Sequence, residues 1–236
     1  MSYLTQLQSV GNALTLKRKK EYISHNFGKA INHILKKKNS SILEIGPGFG
    51  EFVEYCSDLN INKIDIVERD KSVINFLKKN YTLRTVFLNQ DIWKIDRKLK
   101  EYDVIMMTQV LEHIPVSDHI KVLKTLYKHL AVNGVLIITV PNIGNPLATF
   151  ERYYDYTHHT AFTEHSLEQM VDFAVLKNVK LTLQSFSIPP SSLLNFLRRI
   201  LQSLLHLFFK LIYIINGGVY PRILTTNISL IIEKTV

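Results

Sequence analysis

Apolar residues recur along the chain with two different periods, and these periods predict the order of helices and strands. Residues 17–38 repeat apolar side chains at helical spacing, with lysines at both ends, and predict an entry helix that Asn39-Ser40 ends. Short apolar runs predict strands at Ser41–Ile45, Lys63–Val67, Thr85–Leu88, Tyr102–Met107, Val135–Val140, Val179–Ser185 and Asn227–Glu233. Because helical segments separate most of these strands, the pattern predicts an α/β fold with a parallel sheet covered on both faces.

The helical segments between the strands have their own start and stop signals. Helices are predicted after the glycine loop to about Ser57, over Ser72–Lys79 and over Ser166–Ala174. A further helix is predicted to begin at Ser117 as its N-cap and to stop at Gly134. Residues 141–165 show no periodic pattern but are rich in Tyr and His, which favours a functional loop.

A strongly amphipathic segment at residues 191–216 precedes the last strand. Its polar residues form one stripe at helical spacing, and the opposite face is wholly Leu, Ile and Phe. The stripe consists of Asn195, Arg198, Arg199, Gln202, Ser203, His206 and Lys210. The arginines and the lysine interrupt the apolar run, which disfavours a membrane span. Two interpretations stay open: a helix packed against the sheet or a second subunit, and an in-plane helix whose cations meet lipid head groups.

Composition narrows the class of protein. The 236 residues are 46% hydrophobic and 21% charged, which excludes a disordered chain and suffices for one α/β domain of ordinary size. Cys56 is the single cysteine, so no internal disulfide is expected and a reducing cytosol fits. The net charge of +9 suits a partner that carries phosphate or anionic lipid. Residues 1–10 show no signal-peptide pattern.

A glycine loop follows the first predicted strand and predicts a nucleoside site. Gly46, Gly48 and Gly50 stand between the strand that holds Glu44 and a helix, where backbone N–H groups are free to bind a ligand. A dinucleotide-binding loop would have glycine at position 51, where this chain has Glu51. Because a carboxylate there would repel a pyrophosphate, the loop suits a nucleoside without phosphates better than a dinucleotide.

Two acidic residues after the next two strands support this interpretation. Glu68 ends the second strand, where a carboxylate can accept both hydroxyl groups of a ribose. Asp91 follows the third strand and could accept a hydrogen bond from an adenine amino group. Either acid alone could simply cap the next helix. Their joint placement with the glycine loop favours a ligand site.

The order of these motifs resembles that of class I S-adenosylmethionine-dependent methyltransferases of types 11, 12 and 23. The resemblance runs through residues 38–186. The segments that carry it are Ser41–Gly50, Val67-Glu68, Gln90–Ile92, Asp103–Ile105, Val110–Ile114 and Val140–Asn142. It implies a Rossmann-like methyltransferase fold, a doubly wound and mostly parallel sheet of seven strands whose last strand is antiparallel. Residues 1–40 would form an N-terminal helical extension, and residues 41–236 the methyltransferase domain, which includes the loop 141–165 and the helix 191–216.

The resemblance also implies a cofactor, S-adenosylmethionine, and its binding residues. Glu44 and the glycine loop (Gly46, Gly48, Gly50) would border the methionine moiety and Glu68 the ribose. Asp91 and Ile92 would border the adenine, and Gln109 would lie beside the donor at the end of the fourth strand.

The acceptor is less well defined by the sequence. A sugar hydroxyl needs a base or a metal to remove its proton, whereas a carboxylate needs neither. Cys56 lies in the helix after the glycine loop rather than over the pocket, which disfavours a cysteine adduct, and Pro141-Asn142 does not continue into the signature of amine methylation. The segment Asp155–Leu167 resembles that of methyltransferases of polysaccharide and lipid biosynthesis. That resemblance predicts His158 as general base or acceptor contact, with His159 as second candidate.

A metal-assisted alternative rests on a second resemblance. Some small-RNA and ubiquinone-pathway O-methyltransferases hold a divalent cation with an E-x-x-E-H motif, which Gln109–His113 partly matches. Glu112 and His113 are therefore alternative ligands, with His158 as a further one. Because Gln109 replaces the first carboxylate and hard cations favour carboxylate oxygen, no metal is predicted. Glu112 and His113 could equally support the loop that carries Gln109.

Together these features predict an enzyme that methylates a hydroxyl of a glycan, a lipid-linked sugar or another small molecule. The expected location is cytoplasmic, with the helix 191–216 at the anionic inner membrane surface. The sequence is also compatible with a homodimer. The alternatives are an RNA 2′-O-methyltransferase and a catalytically silent partner protein. Nucleic acid is disfavoured because the basic runs lack interleaved aromatic residues.

Overall fold

The computed structural model describes residues 13–37, 39–88 and 91–236. Its helices are α1 (Ala13–Leu35), α2 (Glu51–Asp58), α3 (Lys71–Asn80), α4 (His119–Lys128), α5 (Thr149–Tyr154), α6 (Glu164–Ala174) and α7 (Leu193–Ile215). Its strands are β1 (Ser41–Ile45), β2 (Lys63–Glu68), β3 (Thr85–Leu88), β4 (Tyr102–Thr108), β5 (Leu130–Pro141), β6 (Val179–Ser185) and β7 (Asn227–Lys234). Short 3-10 turns cover Ile92–Lys98, Leu111–His113 and Val116–Asp118.

One seven-stranded sheet organises these elements in the order β3-β2-β1-β4-β5-β7-β6. Strands β1 to β5 pair in parallel, and β7 runs antiparallel to both of its neighbours. The predicted doubly wound sheet with an antiparallel last strand is therefore confirmed. Strand order reverses between β1 and β4, and in such sheets ligands bind outside the carboxyl ends of the strands at this point.

Apolar side chains cover both faces of the sheet, as the fully apolar strands predict. Residues of α1, α2 and α3 pack on one face around Ile42, and residues of α4 and α6 pack on the other around Leu43. Cys56 is buried in the first cluster. Each buried Leu or Ile contributes roughly 1.5–3 kcal/mol through the hydrophobic effect. This two-sided core holds the strand ends, and with them the site, in place.

Two predicted helix boundaries are wrong. Ser117 is not an N-cap but lies within the 3-10 turn, where the Asp118 N–H donates to the carbonyl of Pro115 at 2.9 Å and delays the start of α4. Gly134 does not stop that helix, because β5 already begins at Leu130. A Cβ at position 134 would lie 2.8 Å from the Ala131 carbonyl oxygen, so this glycine permits a close approach within the strand.

Two further segments differ from their predicted form. The region 141–165 is not without regular structure, because it contains α5. Helix α6 begins at Glu164 rather than at Ser166, since Thr163 is its N-cap and Ser166 completes a capping box with it. The prediction for residues 1–10 lies outside the described residues, as does part of the extension assigned to residues 1–40.

Helix α7 occupies the predicted amphipathic segment but does not pack into the core. Phe209 is the only buried residue among its 23, so the interpretation of a helix buried against the sheet is wrong. Among the described residues, no helix combines the length and the apolarity that crossing a bilayer requires.

Candidate active site

A cavity of about 690 Å³ opens at the carboxyl ends of β1, β2 and β4, where the strand order reverses. A volume of this size is typical of small-molecule sites. Seven of the eight residues predicted to bind the cofactor line it, namely Glu44, Gly46, Gly48, Glu68, Asp91, Ile92 and Gln109. The parallel sheet brings them together, because the carboxyl ends of its strands meet at one edge.

The glycine loop is built from left-handed backbone conformations. Gly46, Gly48 and Gly50 have φ angles of 66°, 53° and 79°, which favour glycine. A Cβ on Gly46 would lie 2.4 Å from Cγ2 of Val110, so a larger residue would disturb the cavity wall. Gly50 is not among the lining residues: a Cβ there would lie 2.6 Å from Cδ2 of Leu77, which gives this glycine a packing role.

Glu44 places a buried carboxyl group at the cavity wall. No described residue hydrogen-bonds to its Oε2 atom. Burial, followed by the nearby Glu51 carboxylate, raises the pKa of Glu44 well above its ordinary value. A ligand that brings positive charge to this point would partner the orphaned oxygen and favour the ionised form. S-adenosylmethionine, which carries a sulfonium and an ammonium group, fits this requirement.

Glu68 is oriented by the backbone that follows β2. Its Oε1 atom accepts hydrogen bonds from the N–H groups of Arg69 at 2.7 Å and Asp70 at 2.8 Å. Burial raises the pKa of Glu68, and these hydrogen bonds oppose the increase. Asp70 is the residue that caps α3, through the N–H groups of Ser72 and Val73. Glu68 is therefore free of the helix-capping role that the sequence left open.

The adenine and donor ends of the predicted site are also held in place. Asp91 lines the cavity and forms an ion pair with Lys94, one turn along the chain. Gln109 has a positive φ of 54°, and its side-chain amide donates to Oδ1 of Asn227 at 2.8 Å. These placements agree with the roles that the resemblance predicts, which stay predictions.

His113 is the histidine that lines the cavity, and a hydrogen-bond chain orients it. The Thr157 hydroxyl donates to Oδ1 of Asp155 at 2.7 Å and lies 2.7 Å from Nδ1 of His113. Since the hydroxyl proton is given to Asp155, the network assigns the imidazole proton to Nδ1. No described residue hydrogen-bonds to Nε2, which then carries the lone pair.

The electrostatic environment keeps the His113 ring neutral. Burial, and then the neighbouring His158, lower the pKa of His113 below its ordinary value of 6.5. Burial alone would raise the pKa of Asp155, but the hydrogen bonds from Thr157 outweigh it and lower that pKa. An ionised Asp155 thus faces a neutral His113 through Thr157. An oriented neutral imidazole at a cavity is suited to accept a proton.

The predicted catalytic residues His158 and His159 lie outside the lining of this cavity. The His158 ring packs edge-on against His113 with centroids 4.7 Å apart, and its Nδ1 donates to the Glu151 carbonyl at 3.1 Å. His159 is exposed, and its backbone N–H donates to the Glu112 carbonyl at 2.8 Å. The Arg152 guanidinium holds this part of the chain in place by donating to the backbone carbonyl oxygens of His158 and His159.

Glu112, His113 and His158 form a cluster whose potential ligand atoms lie within 4.8 Å of one another. Both carboxyl oxygens of Glu112 are buried, and no described residue hydrogen-bonds to them. Burial raises the pKa of Glu112 to about 8. The donor set of two imidazoles and one carboxylate is one that a divalent transition metal accepts. Of the three, only His113 lines the cavity.

Sequence reasoning missed the apolar side of the cavity. Tyr22, Ile23 and Phe27 of α1 line it together with Phe186, which follows β6, and the rings of Tyr22 and Phe186 stack 5.6 Å apart. These α1 residues carry a visible signal, because they form the apolar face of an amphipathic helix. The period that reveals such a face does not distinguish core packing from a cavity wall.

The fold and this cavity together define a doubly wound α/β protein with a small-molecule site where the strand order reverses, and comparison with known proteins refines this class. A family model described as a methyltransferase domain matches residues 18–181. A S-adenosylmethionine-dependent methyltransferase from Archaeoglobus fulgidus has a TM-score of 0.62 at 18% identity, covering 91% of this chain and 94% of that one. The plantazolicin methyltransferase BpumL, solved with S-adenosylhomocysteine, has a TM-score of 0.64 at 18% identity, covering 98% and 88%.

A curated relative shares a shorter region. Ribosomal RNA small subunit methyltransferase A of Malacoplasma penetrans is 29% identical over 125 residues, which are 48% of this chain and 44% of that protein. The chain spans half or less of the length of these curated relatives, between 35% and 50%.

The chain belongs to the class I S-adenosylmethionine-dependent methyltransferase family, of type 11, 12 or 23. Its cofactor is S-adenosylmethionine. The orphaned carboxyl oxygen of Glu44 and the glycine loop are the features of this cavity that fit such a ligand.

Removal of the Glu68 carboxylate should weaken cofactor binding. We expect Glu68→Ala to raise the Kd for S-adenosylmethionine in calorimetric titration roughly ten- to a hundredfold, as the loss of charge-assisted hydrogen bonds implies. Glu101→Ala deletes an exposed carboxylate elsewhere and should leave the Kd unchanged. Glu68→Gln, which keeps an acceptor for the Arg69 and Asp70 N–H groups, separates binding from folding. An unchanged Kd in both Glu68 variants would remove this residue from the site.

Proposed function

We propose that the protein transfers a methyl group from S-adenosylmethionine to a hydroxyl group of a glycan, a lipid-linked sugar or a similar amphiphilic acceptor. The observation that carries this proposal is the Asp155–Thr157–His113 hydrogen-bond chain, which leaves an unprotonated Nε2 on a cavity-lining residue. A hydroxyl acceptor needs such a base, whereas a carboxylate acceptor does not.

The division of labour among the residues follows from their positions. When bound, S-adenosylmethionine supplies a methyl group on a sulfonium for an in-line displacement. Glu44, Glu68 and Asp91 orient the cofactor, and Gln109 borders the reacting centre. His113 takes the hydroxyl proton at Nε2, and Asp155 stabilises the resulting imidazolium through Thr157. His158 positions the His113 ring by packing against it.

Amine methylation is disfavoured by the use that the fold makes of Asn142. Its side-chain amide donates to the carbonyl oxygens of Ile223 and Thr225, and its Oδ1 accepts from the Gly144 N–H. The residue is fully buried and its side chain is committed to backbone partners. Asn142 also does not line the cavity, so it is not placed to bind an acceptor amine there.

RNA is the second candidate acceptor, favoured by the ribosomal RNA methyltransferases among the relatives and by the net charge of +9. Against it, the exposed surface of α5 and α7 is mainly apolar and aromatic and carries few cations, which suits an amphiphile with an anionic head group better than a phosphate backbone.

Product detection decides between these acceptors. The protein is incubated with radiolabelled methyl donor and separate lipid, glycan and RNA fractions of cells. We expect label in the lipid or glycan fraction as an alkali-stable ether, and its loss with His113→Ala. Label confined to RNA would overturn the proposed acceptor and favour the second candidate. Base-labile label would indicate a carboxyl ester, and no label in any fraction would support the silent partner protein.

A further inference from the structure

Helix α7 lies on the protein with its polar stripe facing inward. Its less exposed side chains lie at positions 195, 199, 202, 206, 209, 210 and 213, which recur every three or four residues. The Tyr213 hydroxyl donates to the Gly144 carbonyl at 3.4 Å, and Asn195 donates to the Pro189 carbonyl at 3.1 Å. Arg199 lies close enough to His25 of α1 to lower the pKa of that histidine, after the larger effect of burial. Most of the polar stripe is thus turned toward the protein body, whereas Arg198 and Ser203 are exposed.

The opposite, apolar face of α7 is turned toward solvent. At its centre Leu204 is 60% exposed and Leu211 is 51% exposed. The other exposed apolar residues of the helix are Leu193, Leu194, Phe196, Leu197, Ile200, Leu201, Leu205, Leu207, Phe208, Ile212, Ile214 and Ile215. A contiguous apolar surface of this extent marks an interaction site.

The charges around this face identify its partner. Residues 173–232 contain no Asp or Glu. Arg198, Arg199 and Lys210 form no ion pair with any described residue. At 100° per residue, Arg198 and Lys210 lie about 60° on either side of Asn195, the midline of the polar stripe, and so stand near the borders of the apolar face. Two copies of α7 face to face would bring these cations together with no carboxylate to pair them, whereas anionic phosphates complement them.

An exposed aromatic segment adjoins the C-terminal part of α7. The contact between Tyr213 and Gly144 links the helix to the segment that leads into α5. Phe150, Tyr153 and Tyr154 of α5 are each about 70% exposed, and Tyr156 is fully exposed. Tyrosines with an apolar ring and a polar end are characteristic of the boundary between lipid and water.

We propose that α7 lies in the plane of an anionic lipid bilayer, with its apolar face in the acyl region and Arg198 and Lys210 at the lipid phosphates. The long side chains of these two cations allow the charges to reach the head groups while the neighbouring leucines are buried. Tyr153, Tyr154 and Tyr156 extend the contact along the interface.

Bilayer docking also defines the acceptor class, and this second step rests on the proposed function. Glu151 of α5 lines the cavity while its neighbours Phe150 and Tyr153 are exposed. The cavity therefore opens next to the proposed membrane contact. An acceptor hydroxyl in the head group of a membrane-anchored molecule would reach the cavity without leaving the bilayer.

Co-sedimentation with vesicles tests the docking without any turnover. The full chain is mixed with vesicles of phosphatidylcholine alone and of phosphatidylcholine with phosphatidylglycerol. We expect preferential binding to the anionic vesicles. Leu204→Glu with Leu211→Glu should reduce the partition coefficient about a hundredfold or more, given the transfer free energy of two leucines. Arg198→Glu with Lys210→Glu should reduce it about thirtyfold or more, given the contribution of each basic residue near an anionic surface.

Control variants introduce the same changes of charge at exposed positions outside α7. Val116→Glu with Val132→Glu places two carboxylates on apolar residues outside α7 that are 60% and 52% exposed, and Lys78→Glu with Lys124→Glu changes the net charge as much as the α7 cation pair does. Both should bind vesicles as the unaltered chain does. Equal loss in these controls, or no vesicle binding at all, would overturn the proposal. A dimer in light scattering that Leu204→Glu with Leu211→Glu dissociates, without vesicle binding, would assign the face to a second copy.

Discussion

Replacement of His113 by alanine should lower kcat about 10²- to 10⁴-fold, the usual contribution of a general base. The Kd for S-adenosylmethionine should stay unchanged, because the proposed cofactor contacts are the glycine loop and the acids at the other strand ends. The measurement is initial rate with a hydroxyl acceptor, combined with calorimetry of cofactor binding. His165→Ala removes an exposed histidine of α6 and should leave both quantities unchanged.

The pH profile distinguishes a base from a residue that merely shapes the cavity. Because burial lowers the pKa of His113, the ring is neutral near pH 7, and kcat should fall only as the pH drops through a value below 6.5. His113→Ala should abolish this acid limb. Thr157→Val should decrease kcat less than His113→Ala does, since it removes only the acceptor that orients Nδ1–H.

The same assay decides between His113 and the histidines predicted from the sequence. His158→Ala should have a smaller effect than His113→Ala, because His158 acts through its ring contact with His113. His159→Ala should have little effect on kcat. If instead His158→Ala alone removed the acid limb and His113→Ala retained it, the base would be His158, as the sequence predicts.

The fold and the cofactor side of the cavity were accessible to sequence reasoning for a local reason. A buried parallel strand is a short apolar run, and the residues at its carboxyl end and just after it meet at one edge of the sheet. Glu44, Glu68, Asp91 and Gln109 follow this rule, so their positions in the chain sufficed to place them around one cavity. Gly50 belongs to the glycine loop, but its packing role depends on Leu77, which is distant in the chain, and is therefore not apparent from the sequence.

The acceptor side depends on contacts between segments that are far apart in the chain. His113 and His158 both belong to motifs that resemble those of known methyltransferases. Which of them lines the cavity depends on a turn in which Asp155 and Thr157 orient His113. Helix α7 shows the same limit. Periodicity reveals that it has two faces, but the direction of each face depends on the hydrogen bond to Gly144 and on the proximity of Arg199 to His25, which no local pattern encodes.

Replacement of Glu112 by glutamine should change how the stability of the protein depends on pH. The pKa of Glu112 is about 8 in the folded chain, against an ordinary value of 4.5. Between these values the unfolded chain loses the proton while the folded chain keeps it, so stability is full below pH 4.5 and is lost as the pH rises toward 8. The difference amounts to roughly 5 kcal/mol, at 1.36 kcal/mol for each pKa unit.

Chemical denaturation at a series of pH values measures this effect. Relative to Glu112→Gln, the unaltered chain should lose up to roughly 5 kcal/mol of unfolding free energy between pH 4 and pH 9. Other titrating groups are shared by the two proteins and cancel in the comparison. Glu101→Gln, which alters an exposed carboxylate, should show no such difference. Equal pH dependence in all three proteins would mean that Glu112 ionises normally.

Denaturation in the presence of divalent cations, together with turnover in the presence of a chelator, tests whether the cluster of Glu112, His113 and His158 holds a cation. With a neutral Glu112, Mg²⁺, Mn²⁺ or Zn²⁺ should not shift the unfolding midpoint, and a chelator should not reduce turnover. A bound cation would instead stabilise the folded chain by mass action, and Glu112→Gln would cancel that gain. Since a metal ion favours the ionised carboxylate, it would also remove the loss of stability at high pH. The sign of the Glu112→Gln effect at pH 8 therefore separates a neutral acid beside His113 from a metal ligand.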